Sequence, residues 1–388
     1  MEIRSLTEED LPALAHIAAR SFDRGRVPTI GAEVLDDSTR TRLGAFENGR
    51  LEAQLSINHY SLFFGKDVRP CGGIAGVMCE PAYRGRGYAG ALIKRSLEAM
   101  KDAGLYLSCL WPFDFRFYQQ YGWDWAGMGK KYRMPLRLLR PDPEANCVEH
   151  VVEGIQDRIN PIYEAQAVRY QGAMVRDAGR WKSAMEPVGE RAAACYVYRG
   201  DGADEGFAIV RYSEKKNHIE ASDFVALTIP AYRGLMGLLR RHSMSAKSAS
   251  WWGPEDDPAW SVLYDWEMKT ELWPRGMERI VDVRPALEAL KTDSPIAGTA
   301  VIELKDEHAP WNAARWSISA EDGIVRAAGT LEDVGLEMDI RALSQAYWGT
   351  PSLWAVRAAG RIEVHRETDF EFLSALMPAR PVWLTDDF

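Results

Sequence analysis

The fold is decided by one stretch, residues 77–90, which reads VMCEPAYRGRGYAG. The apolar run from Gly72 to Cys79 predicts a short strand that Pro81 ends, and the apolar spacing from Ala89 to Met100 predicts an amphipathic helix. Between strand and helix, Arg84 to Gly90 supplies two guanidinium groups and backbone without side chains. The first amides of a helix lack internal partners and carry the positive end of its dipole. This turn is therefore suited to hold a pyrophosphate.

Two other phosphate-binding loops share part of this pattern. A Walker loop needs a Gly-Lys-Ser/Thr ending, which is missing here. Gly85, Gly87 and Gly90 do spell the dinucleotide fingerprint, but in that fold the first glycine follows the strand directly, whereas here Glu80 to Arg84 intervene. An ordinary basic, glycine-containing turn is the remaining alternative. The order Arg84-x-x-Gly87-x-Ala89 after a strand resembles the acetyl-CoA loop of the GNAT N-acetyltransferases.

Composition describes a globular chain of 388 residues, long enough for two or three domains. Hydrophobic residues make up 46% of it and the mean hydropathy is -0.29, so we expect a soluble protein. The acidic N-terminal segment predicts no signal peptide, and no apolar run approaches the roughly 20 residues of a membrane span. The five cysteines form no Cys-x-x-Cys pair, which favours reduced core residues and a cytoplasmic location.

The net charge and the positions of the histidines limit which classes of partner and ligand we expect. The net charge of -9 disfavours nucleic acid and favours cationic ligands. The seven histidines are scattered, with neither metal-ligand spacing nor a triad, so we expect no metal. The sequence therefore predicts a small-molecule enzyme or binding protein, with no nucleic-acid or membrane partner.

The chain divides into three predicted parts, residues 1–145, 146–285 and 286–388. The segment Pro141-Asp142-Pro143 marks the first boundary. In the third part, apolar spacing predicts an α+β arrangement. Its expected strands are Thr299–Lys305, Arg315–Ala320 and Leu336–Ile340, and its expected helices are Arg341–Trp348, Ser352–Ala359 and Thr368–Met377.

The second part contains an echo of the first. Pro81-Ala82-Tyr83-Arg84-Gly85 recurs as Pro230-Ala231-Tyr232-Arg233-Gly234. Each copy is expected to follow an apolar strand and to precede a helix, which suggests a duplicated domain, although chance identity is the alternative. Met236 stands where the first copy has Gly87, and a side chain there would occupy the place of phosphate oxygens. We therefore expect the second copy to be unable to bind coenzyme A.

Taken over its full length, the chain resembles the Eis-type (enhanced intracellular survival) GNAT N-acetyltransferases. The resemblance rests on the loop at 84–90, the segment FYQQYG at 117–122, the degenerate second copy, the segment at 273–283 and the terminal Phe388. It implies an α/β (α+β) fold: two tandem GNAT-like domains with mixed central sheets, then a C-terminal sterol-carrier-like α+β domain. It also implies a hexameric homo-oligomer. The chain departs from the family in the Gln-Gln pair of FYQQYG and in the WDW that follows it.

Acetyl transfer needs a held cofactor, a polarised carbonyl, a deprotonated amine and a proton for the departing thiolate. The loop amides can hold the pyrophosphate, and the strand before the loop can pair with the pantetheine arm. A phenol with a reference pKa of about 10 suits a general acid, and Tyr118 is that candidate, with a core aromatic as the alternative. The expected cofactor residues are Val77, Met78, Cys79, Arg84, Gly85, Arg86, Gly87, Tyr88, Ala89 and Gly90, to which the resemblance adds Phe113 and Asp114.

The C-terminal residues are the remaining candidates. The resemblance places the α-carboxylate of Phe388 in the active site as a proton acceptor. Asp386 and Asp387 beside it are expected to attract the ammonium groups of the substrate. The predicted function is acetyl-CoA-dependent N-acetylation of polycationic small molecules such as aminoglycosides or polyamines, or of lysine side chains. The alternative is a non-catalytic protein that binds an apolar ligand in its sterol-carrier-like part.

Overall fold

The computed structural model describes the chain except for residues 23–25, 36, 187–191, 213–216, 264, 292–295, 385 and 387–388. The described strands form three sheets, of seven, seven and five strands. None of the described helices is both long and apolar enough to span a membrane.

The strands, in chain order, are β1 (Glu2–Ser5), β2 (Arg40–Glu47), β3 (Arg50–Phe64), β4 (Asp67–Cys79), β5 (Leu107–Leu110), β6 (Met128–Pro135), β7 (Val148–Val151), β8 (Gln171–Met174), β9 (Ala193–Arg199), β10 (Asp204–Tyr212), β11 (Asn217–Ala226), β12 (Ala246–Pro254), β13 (Lys269–Pro274), β14 (Met277–Ile280), β15 (Gly298–Lys305), β16 (Arg315–Glu321), β17 (Ile324–Gly329), β18 (Leu336–Asp339) and β19 (Ile362–Val364). The helices are α1 (Leu11–Ser21), α2 (Tyr88–Asp102), α3 (Phe115–Gln119), α4 (Ile155–Ala167), α5 (Ala178–Met185), α6 (Ile229–Arg241), α7 (Ala259–Leu263), α8 (Val283–Glu288), α9 (Ile340–Trp348), α10 (Leu353–Ala358) and α11 (Glu367–Leu376).

The first sheet has the order β1-β2-β3-β4-β5-β14, and β8 also pairs with β3. β4 and β5 are parallel, and their pairing runs from Cys71↔Leu107 to Ile74↔Leu110. β4 continues along β3 as far as Cys79. The two parallel strands therefore separate after Ile74 and open a cleft at the end of the sheet where α2 begins.

The second sheet has the order β7-β9-β10-β11-β12-β6-β13. The succession β4-α2-β5-α3-β6 of the first part reappears in the second as β11-α6-β12-α7-β13. β11 and β12 are parallel as well, pairing from Asn217↔Ala246 to Ala221↔Trp251 before they separate. A second cleft thus lies at the equivalent place, and the predicted duplication is visible as a repeated succession of elements.

The two sheets exchange strands across the predicted boundary at 145/146. β6 follows α3 in sequence but pairs with β12 and β13 of the second sheet. β14 follows β13 but completes the first sheet beside β5, and β8 adds to β3. The boundary predicted at 285/286 falls inside α8. The domain limits remain predictions, because the sheets interlock where the sequence was divided.

The third sheet, β17-β16-β15-β18-β19, follows the predicted α+β pattern closely. Each expected strand and helix is present, with ends displaced by one residue at most. Its inner face is filled by packed side chains, including the fully buried Ile302, Trp348, Phe370 and Leu373. This core continues without a break into the buried residues of β4 and β5. The third domain is therefore packed against the back of the first sheet.

The five-residue echo proves to be structurally unlike its original. Pro81–Tyr83 is a single 3-10 turn that precedes a loop, and α2 begins only at Tyr88. The second copy lies inside α6, which begins at Ile229. The expectation that Met236 replaces Gly87 in an equivalent loop was therefore wrong, because the second domain has no loop between Thr228 and its helix.

The C-terminal segment returns to the junction of the first two sheets. Val382 forms a parallel bridge with Gln171 of β8, and the Trp383 N–H donates to the Gln171 carbonyl at 2.8 Å. Val382, Trp383 and Leu384 are all buried. Burial of three successive apolar side chains fixes the course of this tail toward the first cleft.

Candidate active site

A cavity of about 680 Å³ occupies the cleft between β4 and β5. Its walls are the separated end of β4, the loop that leads into α2, and the segment after β5 together with α3. Most of the predicted cofactor residues line it: Val77, Met78, Cys79, Arg84, Gly85, Gly87, Tyr88, Ala89, Gly90 and Phe113. The cavity brings these residues together with Tyr118.

The end of β4 offers backbone groups to this cavity. A bulge interrupts its register with β3, where Gly76 has φ +56 and its carbonyl accepts a bond from the Gln54 amide. β5 pairs with β4 only up to Ile74, and residues 75–79 of β4 line the cavity. An extended chain that contains amides can pair with such a strand edge. The pantetheine arm of coenzyme A is a chain of this kind.

The start of α2 is open to an anion. Gly87 is its N-cap, with φ +88 and no side-chain capping bond. The Ala91 N–H donates to the Gly87 carbonyl at 2.9 Å, and the amides before it have no such partner within the helix. A Cβ on Gly85 or Gly87 would meet nothing within 4 Å, so the space in front of these amides is open. The positive end of the helix dipole faces that space.

Two of the predicted cofactor residues do not line the cavity. The Arg86 guanidinium lies 4.6 Å from the centre of the Tyr83 ring, a cation–π contact. The Asp114 carboxylate caps α3 by accepting the Phe117 N–H at 3.1 Å. The expectation that Asp114 contacts the cofactor arm is therefore corrected: its oxygen holds the helix that carries Tyr118.

Tyr118 is buried against aromatic neighbours at the cavity wall. It is 2% exposed, and its ring centre lies 5.3 Å from that of Phe113 and 5.0 Å from that of Phe117. Burial raises the pKa of its phenol above the usual value. The hydroxyl therefore keeps its proton at every physiological pH and is available as a proton donor.

A cysteine also lines the cavity, at the end of β4. Burial raises the pKa of the Cys79 thiol, an effect that the nearby Arg84 only partly offsets. A thiol with a raised pKa is mostly protonated at neutral pH and is a poor nucleophile. Cys79 is therefore unsuited to accept an acetyl group covalently.

The turn that follows Tyr118 is held by the third domain. Asp124 is buried and accepts bonds from Arg341 at 2.8 Å and from Arg361 at 2.9 Å. Its other oxygen accepts the Gln119 amide at 3.0 Å. Gln119 and Asp124 belong to the segments in which the chain departs from the Eis-type pattern. These departures form one interdomain contact directly beside Tyr118.

A second buried pair holds the same turn. Arg279 is fully buried and bonds Asp306 of the third domain at 2.6 and 2.8 Å. The Arg279 guanidinium also donates to the carbonyl of Tyr121. The sequence offered no signal for these contacts, because Arg279 is 27 residues from Asp306 and 158 residues from Tyr121, and the three meet only in the fold.

The C-terminal segment reaches the cavity wall, but its Asp386 carboxylate pairs with a buried arginine. The Trp111 indole, which lines the cavity, donates to the Asp386 carbonyl at 2.9 Å. The Asp386 side chain pairs with the buried Arg176 at 2.9 Å, and Arg176 also pairs with Asp223 at 2.8 Å. Because Arg176 is shared by two carboxylates, the group keeps a net negative charge, and the role of Asp386 in attracting substrate stays a prediction. Asp387 and Phe388 lie outside the described residues.

Several lining residues were missed by sequence reasoning. Ser21 and Phe22 come from the end of α1, and Trp111, Phe117 and Tyr121 surround Tyr118. Gly90 faces this group so closely that a Cβ on it would lie 2.2 Å from the Tyr121 hydroxyl. The cluster of aromatic residues between 111 and 121 was the available signal in the sequence.

One group of possible metal ligands lies on the third sheet. Atoms of Glu337, Glu363 and His365 fall within 4.8 Å of one another. The Lys305 ammonium already bonds Glu337 at 3.1 Å, and this bond lowers the pKa of that carboxyl. A lysine of the same chain therefore already balances part of the negative charge of this group.

Comparisons with known proteins agree with this geometry. Family descriptions named "Acetyltransferase (GNAT) domain" match residues 2–126 and 172–284, and "Sterol carrier protein domain" matches residues 283–385. The chain is a GNAT N-acetyltransferase with a C-terminal sterol carrier domain. The two GNAT matches contain β4 with α2 and β11 with α6, which line the two clefts, and the GNAT domains imply acetyl-CoA as co-substrate of the acetyltransferase.

Relatives and solved structures share the whole arrangement. An uncharacterized N-acetyltransferase of Streptomyces avermitilis is 26% identical over 346 residues, which is 82% of each chain. One from Streptomyces coelicolor is 24% identical and covers 93% of each chain. A GCN5-related N-acetyltransferase from Anabaena variabilis superposes over 100% of both chains, with a TM-score of 0.87 and 20% identity. Eis1 from Mycobacterium abscessus does so with a TM-score of 0.79 and 23% identity. The acetyltransferase therefore has the Eis-type domain order.

Proposed function

We propose that the acetyltransferase binds acetyl-CoA in the first cleft and transfers the acetyl group directly to an amine. The observation that supports this most is the meeting of three features in one cavity. These are the uncapped start of α2, the exposed edge of β4 and the buried hydroxyl-bearing Tyr118. Each serves a different part of the reaction, and a chance grouping of all three would be rare.

Acetyl-CoA supplies the activated acetyl group as a thioester. The amides of Tyr88, Ala89 and Gly90 bind its pyrophosphate, and Arg84 adds positive charge beside them. The backbone of residues 77–79 orients the pantetheine arm and provides an N–H that polarises the thioester carbonyl. These groups act without movement of charge in the protein, because the dipoles are already fixed by the fold.

Tyr118 donates the proton that the departing thiolate needs. The phenol, which its raised pKa keeps protonated, donates its proton as negative charge develops on sulfur and the carbon–sulfur bond breaks. The proton that the attacking nitrogen loses on becoming an amide restores the phenol. Cys79 takes no part in the transfer, because its thiol, whose pKa is raised by burial, stays protonated at neutral pH. The acetyl group consequently passes from sulfur to nitrogen in one transfer, without an acyl-enzyme.

The acceptor that we propose is an amine with further positive charges, such as a polyamine, an aminoglycoside or a lysine side chain in a basic peptide. The net charge of -9 attracts cations over long range. At short range the aromatic rings of Phe113 and Phe117, which line the cavity, suit a further ammonium group of the substrate near the thioester.

The test is thiol release from acetyl-CoA with purified full-length chain and a panel of amines at low and high salt. We expect turnover with spermidine, an aminoglycoside or a lysine peptide, and a lower rate at high salt as the charges are screened. Equal rates with a neutral arylamine, insensitive to salt, would refute the acceptor class. Absence of coenzyme A binding by calorimetry would refute the proposed site itself.

The alternative of an apolar-ligand carrier finds less support. The inner face of the third sheet is filled by its own side chains, with Trp348 and Phe370 fully buried. The third domain instead contributes Arg341, Arg361 and Asp306 to the turn beside Tyr118. Its place in the molecule is that of a support for the first cleft.

A further inference from the structure

A cavity of about 730 Å³ lies on the second sheet, where β6 ends and where β12 and β13 begin. Small-molecule sites usually have about this size. Tyr132 and Met134 of β6 are buried in the core around α6, so the alternation along the strand places Arg133 on the opposite face. The cavity lies on that opposite face and shares no lining residue with the first cleft.

The charged residues that line this cavity are mostly cations: Arg133, Arg137, Lys247 and Lys269, with Glu267 as the carboxylate. This basic cavity is an exception in a chain whose net charge is -9. Glu267 pairs with Arg137 at 2.7 Å, so its charge is already balanced. The side chains of Arg133, Lys247 and Lys269 form no hydrogen bond or ion pair within the part of the chain that the structure describes. These three cations are therefore available to an anion.

Two of these cations face each other across a strand pair. Arg133 of β6 and Lys269 of β13 are directly opposite in the register of the two strands. Like charges at opposite positions destabilise a sheet. An anion bound between the two side chains would replace this repulsion by two attractions.

A hydroxyl lines the same cavity in a fixed place. The Ser248 Oγ lies 2.8 Å from His218 Nδ1, and the Ser250 Oγ lies 2.9 Å from the other ring nitrogen. Burial, together with the nearby Arg133, lowers the pKa of His218, which favours the neutral ring. When Nδ1 carries the ring proton, the Ser248 hydroxyl accepts it and can donate its own proton to an anion.

An exposed aromatic ring lies at the rim of the basic cavity. Trp266 lines the cavity and is 99% exposed. Both faces of its indole are therefore open, and planar bases stack on such rings. The lining thus combines open cations with an open aromatic surface.

We propose that the basic cavity binds a nucleoside diphosphate. Arg133, Lys247 and Lys269 hold its phosphate oxygens, since guanidinium and ammonium groups form short, charge-assisted bonds with phosphate. The Ser248 hydroxyl donates to a further oxygen, and the base stacks on Trp266. The several negative charges and the one planar ring of such a ligand match the two kinds of group in the lining. This site is separate from acetyl transfer in the first cleft.

The probe is adenosine diphosphate, titrated by calorimetry into the full-length Gly87→Met chain, with pyrophosphate and adenosine as its charged and planar halves. The substitution fills the phosphate space of the first cleft, where this probe would otherwise also bind. We expect adenosine diphosphate to bind more tightly than either half. Arg133→Gln and Lys269→Gln should each weaken adenosine diphosphate and pyrophosphate about tenfold, as expected for loss of one charged hydrogen bond. Trp266→Ala should weaken adenosine diphosphate about tenfold and leave pyrophosphate unchanged.

The matched control is Arg140→Gln, which removes an equal charge from an exposed residue near Arg137 that does not line the cavity. It should bind adenosine diphosphate as the parent chain does, and thermal unfolding verifies that every variant is folded. The series is repeated without Gly87→Met, where the Arg133 and Lys269 variants should weaken one of two binding events. A single event that these variants weaken would support the basic cavity while refuting the first cleft as a nucleotide site.

The proposal is overturned if adenosine diphosphate does not bind to the folded Gly87→Met chain. It is also overturned if Arg133→Gln and Lys269→Gln bind normally, since the probe would then occupy another site. Equal weakening in Arg140→Gln would reduce the effect to the overall charge of the chain and overturn it as well. Normal binding of adenosine diphosphate to Trp266→Ala would overturn the recognition of the base.

Discussion

The first and second clefts share one succession of strands and helices but present opposite chemistry at the same place. In the first, α2 starts at a glycine N-cap and leaves its leading amides open. In the second, Thr228 and Pro230 close the start of α6, and the following strand leads into Asp256 and Asp257. The comparison teaches that the anion seat of this fold depends on a few residues at one helix start. The surrounding sheet can keep its arrangement when the anion-binding residues are replaced.

The comparison also shows why a short identical segment in two domains can be misleading. Pro-Ala-Tyr-Arg-Gly precedes the loop in the first domain and lies within a helix in the second. Gly234 serves packing there, because a Cβ on it would lie 2.5 Å from the Tyr198 ring. Identical residues thus have unrelated roles, because the helix begins after them in the first domain and before them in the second.

The largest effect is expected from closing the first cleft as the second is closed. Gly87→Met should abolish measurable coenzyme A binding, because φ +88 disfavours a side chain and the new atoms would occupy the phosphate space. Calorimetry with coenzyme A measures this. Gly323→Met is the matched control: Gly323 has φ +77 and an open Cβ position but lies in the turn between β16 and β17 of the third sheet. If both variants bind alike, the loop is not the anion seat.

The next effect separates the two clefts by their tyrosines. Tyr118→Phe should lower kcat by about 10²–10⁴-fold, the usual contribution of a general acid, with little change in coenzyme A affinity. Tyr232→Phe, which removes the hydroxyl that bonds Asp257, should leave kcat near wild type. Steady-state kinetics and calorimetry measure both. Near-normal turnover of Tyr118→Phe would return that residue to a packing role.

A smaller effect is expected from loosening the third domain's hold on the first cleft. Arg361→Gln removes one of two cations from Asp124, and a small displacement of the adjacent Tyr118 should lower kcat by about tenfold. Coenzyme A affinity should stay unchanged, and Arg361→Lys should recover part of the loss. The control Arg357→Gln breaks an exposed ion pair with Glu367 in the same domain. Equal kcat in Arg361→Gln and in the control would contradict the positioning role.

The smallest effect is expected at Cys79. Cys79→Ala should change kcat by less than about twofold, because a partly buried thiol with a raised pKa is a poor nucleophile at neutral pH. Rapid quenching with labelled acetyl-CoA should leave no label on the protein. A labelled protein, or a large loss of turnover, would mean that the acetyl group passes through an enzyme-bound thioester.

Much of this architecture could be predicted because it depends on local periodicity. The strand ending at Cys79, the loop and the helix after it, and the elements of the third domain all follow from short apolar patterns. The pairing of β5 with β14 could not, because its partners are separated by more than 150 residues. The same limit hid Arg176, whose pairing with Asp386 and Asp223 changes the electrostatics expected of the tail.

The exchanged strands have a consequence for how the chain must be made. During synthesis, β5 is paired only with β4 until β14 has been made. β6 has no neighbouring strand until β12 and β13 have been made. A fragment that stops near residue 145 would leave one edge of β5 and both edges of β6 unpaired, and unpaired edges invite aggregation. Long-range pairings of this kind are also slow to form. Expression of isolated domains should therefore fail where the full chain succeeds, so catalysis in the first cleft depends on synthesis of the whole chain.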